Sequence, residues 1–380
     1  MKKKKLIRAC TVSDSIGFVE GMVPDLAKEY ELCVLSSPGK HWAVLDKYGD
    51  AVRRIEVPME RHISPLRDLV SLWRLIRVFR CERPEMVHSM TPKAGLLCMM
   101  AAWLCRVPVR VHTFTGLVFP TAKGLTQKIL IFTDRLTCAC ATHVNPEGEG
   151  VKRDLARFRI TGKPLRILGH GNVKGIDLRR FDPALPGIQA EAAKLRKPGM
   201  FTFIAIGRLV GDKGINELVA AFSRLNKELP ATRLILVGPQ EKELDPLHPA
   251  TLAEIESNPA IEAVGNQADV RPWLAAADCA VLASYREGFP NVVIEAGAMG
   301  LPQIVTDING ANEIIIDGQN GTIIPPKDIE ELYTAMHRIA GDSDVRRTQA
   351  ANARALIASR YEQSYVRRCL YNFYREILPK

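Results

Sequence analysis

The 380-residue chain has no cysteine framework. Its nine cysteines include one Cys-x-Cys, Cys138 and Cys140, but no Cys-x-x-Cys and no second ligand pair at zinc spacing. A disulfide scaffold and a zinc module are thereby excluded, and the thiols read as reduced groups of a cytoplasmic protein. No metal and no cofactor are expected. Long apolar runs are missing too. The best candidate, residues 94–104 (AGLLCMMAAWL), is too short to cross a bilayer and reads as a buried helix. Lys2 to Lys5 look like the basic start of a secretion signal, yet no apolar stretch of the right kind follows. Low-complexity segments and short-period repeats are absent. Basic and aromatic residues do not interleave, so nucleic acid is not an expected partner. No Gly-x-Gly-x-x-Gly follows the first β-rich run, which argues against a nicotinamide enzyme. No Asp-x-Asp follows a β-rich run, and Asp342-Ser343-Asp344 reads as a helix cap.

What is present is an α/β alternation in a chain long enough for two domains. Residues 5–12, 31–36, 86–88, 109–113 and 142–145 read as strands in the first half. Residues 201–206, 233–237, 261–264 and 279–283 do so in the second. Helical stretches fall at about 19–29, 66–80, 92–105, 213–228, 241–257 and 291–299, then at 328–340, 344–358 and 361–376. Residues 182–200 are polar, hold three prolines and read as a linker. The expected fold is α/β: two doubly wound, Rossmann-like domains facing a cleft, spanning 1–181 and 201–360. Charge is divided unevenly. Residues 1–170 carry 28 Lys and Arg against 16 Asp and Glu, whereas residues 171–380 carry 24 against 26. A basic first half suggests an anionic partner such as acidic lipid or a lipid diphosphate.

Two segments carry chemistry. One runs Arg286-Glu287-Gly288-Phe289-Pro290-Asn291-Val292-Val293-Ile294-Glu295. A strand leads into this loop and a helix begins near Asn291, with Glu295 expected in its first turn. The carboxylates can accept hydrogen bonds from sugar hydroxyls. The loop amides and the helix N-terminus favour a phosphate. The other segment is Gly207-Arg208-Leu209 with Lys213-Gly214. Two cations after a buried strand suit a diphosphate and the charge that develops as it leaves.

Together these segments resemble the donor site of the family-4 retaining glycosyltransferases of GT-B fold, whose hallmark is a Glu, seven residues, then a Glu. Ile167 through Phe181 resembles the segment closing that family's first domain. Residues 86–150 resemble the subgroup that builds capsule, O-antigen and exopolysaccharide units on lipid carriers. The resemblance implies a nucleotide-sugar donor, with a UDP-sugar favoured. Arg208 and Lys213 would hold its diphosphate, Glu295 the ribose and Glu287 a sugar hydroxyl; Arg208, Lys213 and Glu287 would be the catalytic groups. Backbone groups of Gly288, Phe289, Pro290, Asn291 and Val292 would contact sugar and phosphate. Gly17 would let the backbone approach the phosphates, and the base would lie near Val264. The closing helix would cross back onto the first domain. Relatives often carry His where Thr115 stands here, in His112-Thr113-Phe114-Thr115-Gly116. His112 and Thr115 are candidate sugar contacts, although the strand alternation turns His112 towards packing. Lys93, at a helix start, is a candidate contact for the acceptor's diphosphate.

With no carboxylate placed as a nucleophile, the expected mechanism is front-face attack without metal. Residues 65–80, with Leu66, Leu69, Val70 and Trp73 among arginines, suit an anionic leaflet, although packing on the first sheet with a basic outer face is the favoured reading. Residues 123–132 are the second candidate. The expected location is cytoplasmic, peripheral on the inner membrane face. The rival readings are a sugar-nucleotide epimerase or hydrolase of similar fold, and a non-enzymatic binder of an anionic ligand.

Overall fold

A computed structural model describes residues 3–60, 64–241, 243 and 245–378. They divide into two compact units, Met1–Gly175 with Ser364–Lys380, and Ile176–Gln363. The expected division is corrected here. Residues 182–200 are not a linker: Pro186–Leu195 is a helix of the second unit, started by its N-terminal proline and buried through Ile188 and Ala192, four positions apart. The chain leaves the first unit at Gly175 and returns at Ser364.

The first unit holds a six-stranded parallel sheet of order β3-β2-β1-β4-β5-β6. Its strands are β1 (Lys4–Ala9), β2 (Tyr30–Ser36), β3 (Arg53–Glu56), β4 (Met86–Met90), β5 (Val109–Phe114) and β6 (His143–Pro146). Strand alternation sends successive residues into two cores. Ile7, Ala9, Val87 and Phe114 face one core, which lies beneath helices α1 (Pro65–Glu82), α2 (Pro92–Leu104) and α3 (Gly124–Cys140). Leu6, Cys10, Met86, Met90 and Val111 face the other, where Val366, Leu370, Phe373 and Tyr374 of the closing helix, Gln363–Ile377, pack in. The expected return of the C-terminal helix to the first unit is therefore present.

The second unit repeats the plan with order β12-β11-β10-β7-β8-β9. Its strands are β7 (Phe201–Ile206), β8 (Thr232–Val237), β9 (Ile261–Gly265), β10 (Cys279–Leu282), β11 (Gln303–Thr306) and β12 (Thr322–Ile324). Strands β3, β11 and β12 are additions to the sequence reading; β3 and β12 are edge strands, and β11 pairs with both β10 and β12. The helix expected from 241 begins only at Pro249, and residues 242 and 244 of that stretch lie outside the described residues.

Candidate active site

In the second unit the chain steps from β7 outward to β8 and β9, then returns to the other flank of β7 as β10. The loops that follow β7 and β10 therefore diverge at the carboxyl edge, where doubly wound sheets bind ligands. Both chemical segments of the sequence leave the sheet at this point. A close approach locks them together. Gly214 has φ of +67°, and a Cβ there would lie 2.0 Å from the Ala283 carbonyl oxygen, so only glycine fits.

That contact delivers Lys213 to Glu287. The Lys213 ammonium donates to Glu287 Oε1, both side chains being mostly buried. The Ser284 hydroxyl, fully buried, donates to the same oxygen at 3.0 Å. Two further links staple the loops: the Tyr285 N–H donates to the Asp212 carbonyl at 2.9 Å, and Arg286 pairs with the Asp212 carboxylate at 3.0 Å. Arg208, on the same β7 loop, turns to Glu241 beyond β8 and is about half exposed. The structure thus brings Lys213 and Glu287 into contact and engages Arg208 with a different carboxylate.

After the β10 loop comes helix α4 (Asn291–Ala298). Glu295 opens its second turn rather than lying in the first, a one-residue shift set by the helix starting at Asn291 behind Pro290. Phe289 and Pro290 are buried, the Phe289 ring meeting Tyr361 edge-on at 5.6 Å. Gly288 and Phe289 are held in place by Gly310, whose missing Cβ would lie 2.5 Å from the Gly288 carbonyl. The side chains of Phe289 and Pro290 thus belong to the core, leaving Gly288 to Val292 to offer backbone groups. Val264 is the penultimate residue of β9, two strands from β7, with its carbonyl accepting from Gln267 Nε2 at 2.7 Å.

The remaining candidates lie in the first unit. Gly17 begins a short helical turn with φ of −54°, and a Cβ there would meet nothing within 4 Å. Packing does not demand glycine at this position. Lys93 is the second residue of α2, and its ammonium donates to both Asp68 oxygens at 2.7 Å. Thr115 follows β5 and is partly buried. His112 lies on the side of β5 that the strand alternation turns towards packing. It is 1% exposed, its Nδ1 lies 2.9 Å from Ser89 Oγ, and a Cβ on Gly95 would approach its ring to 2.4 Å. Burial pushes its pKa down to about 3, so the ring is neutral and serves to pack α2 onto β5.

The sequence reading gave no role to Ser284, Asp212, Glu241 or Arg286. Arg286 stood inside the motif, and its spacing gave no hint that it would bind Asp212.

The surface of the first unit is unusual. Leu66 (80% exposed), Leu69, Val70 and Trp73 project from α1, and Leu125, Ile129 and Phe132 from α3. Trp103 and Leu104 end α2, which packs between them. Arg67, Arg74, Arg77 and Arg80 are exposed on α1, and the Arg77 guanidinium lies 4.8 Å from the Trp73 ring centre. The outer face of α1 is therefore apolar as well as basic, not merely basic. Patches of this kind mark interaction surfaces. Among the described residues, no helix is long and apolar enough to cross a membrane.

Known proteins resemble the chain throughout its length. Residues 201–342 match the family described as glycosyl transferases group 1, and residues 18–171 match the glycosyl transferase 4-like domain. A capsular polysaccharide biosynthesis glycosyltransferase of Staphylococcus aureus, CapM, is 28% identical over 100% of this chain and 99% of its own. The Escherichia coli UDP-Gal:α-D-GlcNAc-diphosphoundecaprenol α-1,3-galactosyltransferase is 29% identical over 82% of this chain and 79% of its own. Among solved structures, Anabaena HepE in complex with UDP and glucose superposes with a TM-score of 0.81 at 17% identity, covering 98% of this chain and 100% of HepE. At that identity the likeness speaks for the fold alone.

Proposed function

The chain belongs to the family-4, group 1 glycosyltransferases and has their GT-B fold, and from that premise we propose that it moves a sugar from a UDP-sugar to a lipid-diphosphate-linked saccharide, with retention, in the building of a surface polysaccharide. The observation that carries this reading is the Lys213–Glu287 contact at the switch point of the second sheet. A cation suited to phosphate and a carboxylate suited to a sugar hydroxyl meet at the carboxyl edge of the sheet, where doubly wound sheets bind ligands. The UDP donor and the lipid-linked acceptor draw support from the Escherichia coli relative, and the polysaccharide role from CapM.

In this mechanism Arg208 and Lys213 bind the donor diphosphate, Glu287 a hydroxyl of the sugar, and Glu295 the ribose. Val264 lies near the base. The acceptor hydroxyl attacks the anomeric carbon from the leaving-group side. The new glycosidic bond forms as the carbon–oxygen bond to phosphate breaks, and the hydroxyl proton passes to a departing phosphate oxygen. Charge then grows on the diphosphate, where Lys213, Arg208 and the N-terminus of α4 stabilise it without a metal. Orientation supplies the rest of the acceleration. Lys93 and Thr115 are the candidate acceptor or sugar contacts in the first unit.

The exposed apolar and basic side chains of α1 and α3 support peripheral binding to an anionic membrane on the cytoplasmic side, where lipid-linked acceptors would be met. The test is synthesis with UDP-sugars and an undecaprenyl-diphosphate-linked saccharide, with the product anomer read by NMR. The product should keep the donor's anomeric configuration, with EDTA making no difference. An inverted product would overturn the mechanism, and no transfer from any UDP-sugar would overturn the donor.

A further inference from the structure

The first unit buries a guanidinium with no counter-charge. Arg8 lies in the middle of β1, on the face covered by the closing helix, and is 1% exposed. Its two terminal nitrogens each sit 3.0 Å from a thioether sulfur, of Met22 and Met90. Thioethers are weak acceptors and carry no charge. The third nitrogen, Nε, has no partner, and Arg8 forms no ion pair with any described carboxylate. A buried, unpaired cation is among the most costly groups a core can hold.

Its neighbours form a polar row across four strands. Arg8 is the register partner of His88, and Thr113 is that of Asn145. His88 Nε2 lies 2.8 Å from Thr113 Oγ1, and its Nδ1 bonds the Tyr374 hydroxyl of the closing helix. Burial, aided by the charge of Arg8, holds the His88 pKa well below its ordinary value, so this ring is neutral and adds no second cation. Asn145 Oδ1 is also buried without a partner.

A cavity of about 20 Å³ opens beside this row, lined by Arg8, His88, Thr113 and Asn145 and by Val366 and Leu370 of the closing helix. That is room for one particle of about the size of water. Glu147 also lines it, with Oε1 accepting the Val173 N–H at 3.2 Å.

We propose that this cavity binds a small monovalent anion, chloride or a similar halide, which neutralises Arg8 beneath the closing helix. Water would satisfy Nε but would leave the charge unbalanced. Phosphate is too large for the space, and its strong hydration suits it poorly to a lining rich in methyl and methylene groups. A halide accepts from the guanidinium and, being weakly hydrated, gives up little on entering. It would also join the first sheet to the closing helix that covers it, since both line the cavity.

The test is thermal unfolding of the full chain in chloride, bromide and gluconate at constant ionic strength. Raising the halide at gluconate's expense should lift Tm by about 2 °C or more, as binding to the folded state requires. Arg8→Met, of similar length and without charge, should abolish the difference. Crystals grown in bromide should show an anomalous peak beside the Arg8 guanidinium, a measurement on the unaltered chain that does not depend on the variant folding. A Tm indifferent to halide, a halide effect that persists in Arg8→Met, or water alone in the bromide crystals would overturn the proposal. So would a stability governed by Glu147→Gln and not by halide, since the counter-charge would then be Glu147.

Discussion

The two units share a plan and differ in where they keep their charge. In the second unit the cations of the candidate site are matched within its own loops: Lys213 with Glu287, Arg286 with Asp212, Arg208 with Glu241. In the first unit Arg8 is buried without a match, and neutral histidines sit in the sheet. The surfaces differ in the same sense. Of the large apolar side chains exposed among the described residues, all but Ile329 lie in the first unit. In a matched site an arriving diphosphate must compete with the site's own carboxylates for the cations. An unmatched core and an apolar basic face point to partners that the chain does not itself supply. The proposed division of work, with chemistry in one unit and anchoring in the other, follows from that contrast.

Acid should break the comparison most strongly. The folded pKa of His112 is about 3, below the ordinary 6.5, so the unfolded chain binds a proton that the native chain refuses. Stability from this group is whole above pH 6.5 and is lost progressively as the pH falls towards 3, by an order of a few kcal/mol. His88 acts in the same direction. Hydrogen exchange followed by mass spectrometry on acidification should show β4 and β5 opening before β7 and β8. Opening of β7 first would mean that the first unit is not the acid-sensitive one.

Next in size come the site groups. Lys213→Ala and Glu295→Ala should each lower turnover by about tenfold or more, the equivalent of roughly 1.4 kcal/mol or more at the transition state. Neither should alter the unfolding of the first unit. Full activity in both variants would remove the donor-site assignment.

The surface of the first unit should behave in the opposite way. Replacing Leu69, Trp73 and Phe132 together by serine removes three exposed apolar groups. Each is worth about 1.5–3 kcal/mol when fully buried, so even partial insertion predicts a loss of vesicle affinity of about tenfold or more. Turnover on a water-soluble acceptor should stay within about twofold. Unchanged sedimentation with anionic vesicles would count against α1 and α3 as the membrane face.

Much of this was legible in the chain, and the omissions have physical causes. Apolar β-rich runs such as FTFIAI and RLILV announce buried parallel strands, and the cation and carboxylate segments can be read where the strands end. Edge strands are harder. Only Ile55 of the four residues in β3 is other than well exposed, so its sequence shows little burial pattern. Pro186–Leu195 hides its inward face in one isoleucine and one alanine, and Pro186 with its neighbours Pro183 and Pro198 looks like loop punctuation. The Lys213–Glu287 contact joins residues 74 positions apart and depends on Gly214 passing against Ala283, which no local pattern encodes. Arg8 reads as one more charge in a basic start, and only the closing helix folded over it makes it a buried cation.

The smallest expected effect probes the matched pairs themselves. Glu241 holds Arg208 at a partly exposed position, where an ion pair contributes roughly 0–1 kcal/mol. A donor diphosphate must take Arg208 from it. Glu241→Gln removes the competing charge and keeps the shape, so the KM for the nucleotide sugar should fall by about two- to fivefold while kcat changes little. A KM that rises instead would place Glu241 among the groups that help the donor bind. The pairing in the second unit would then be part of the ligand site rather than its resting state, and the contrast with the unpaired Arg8 would weaken.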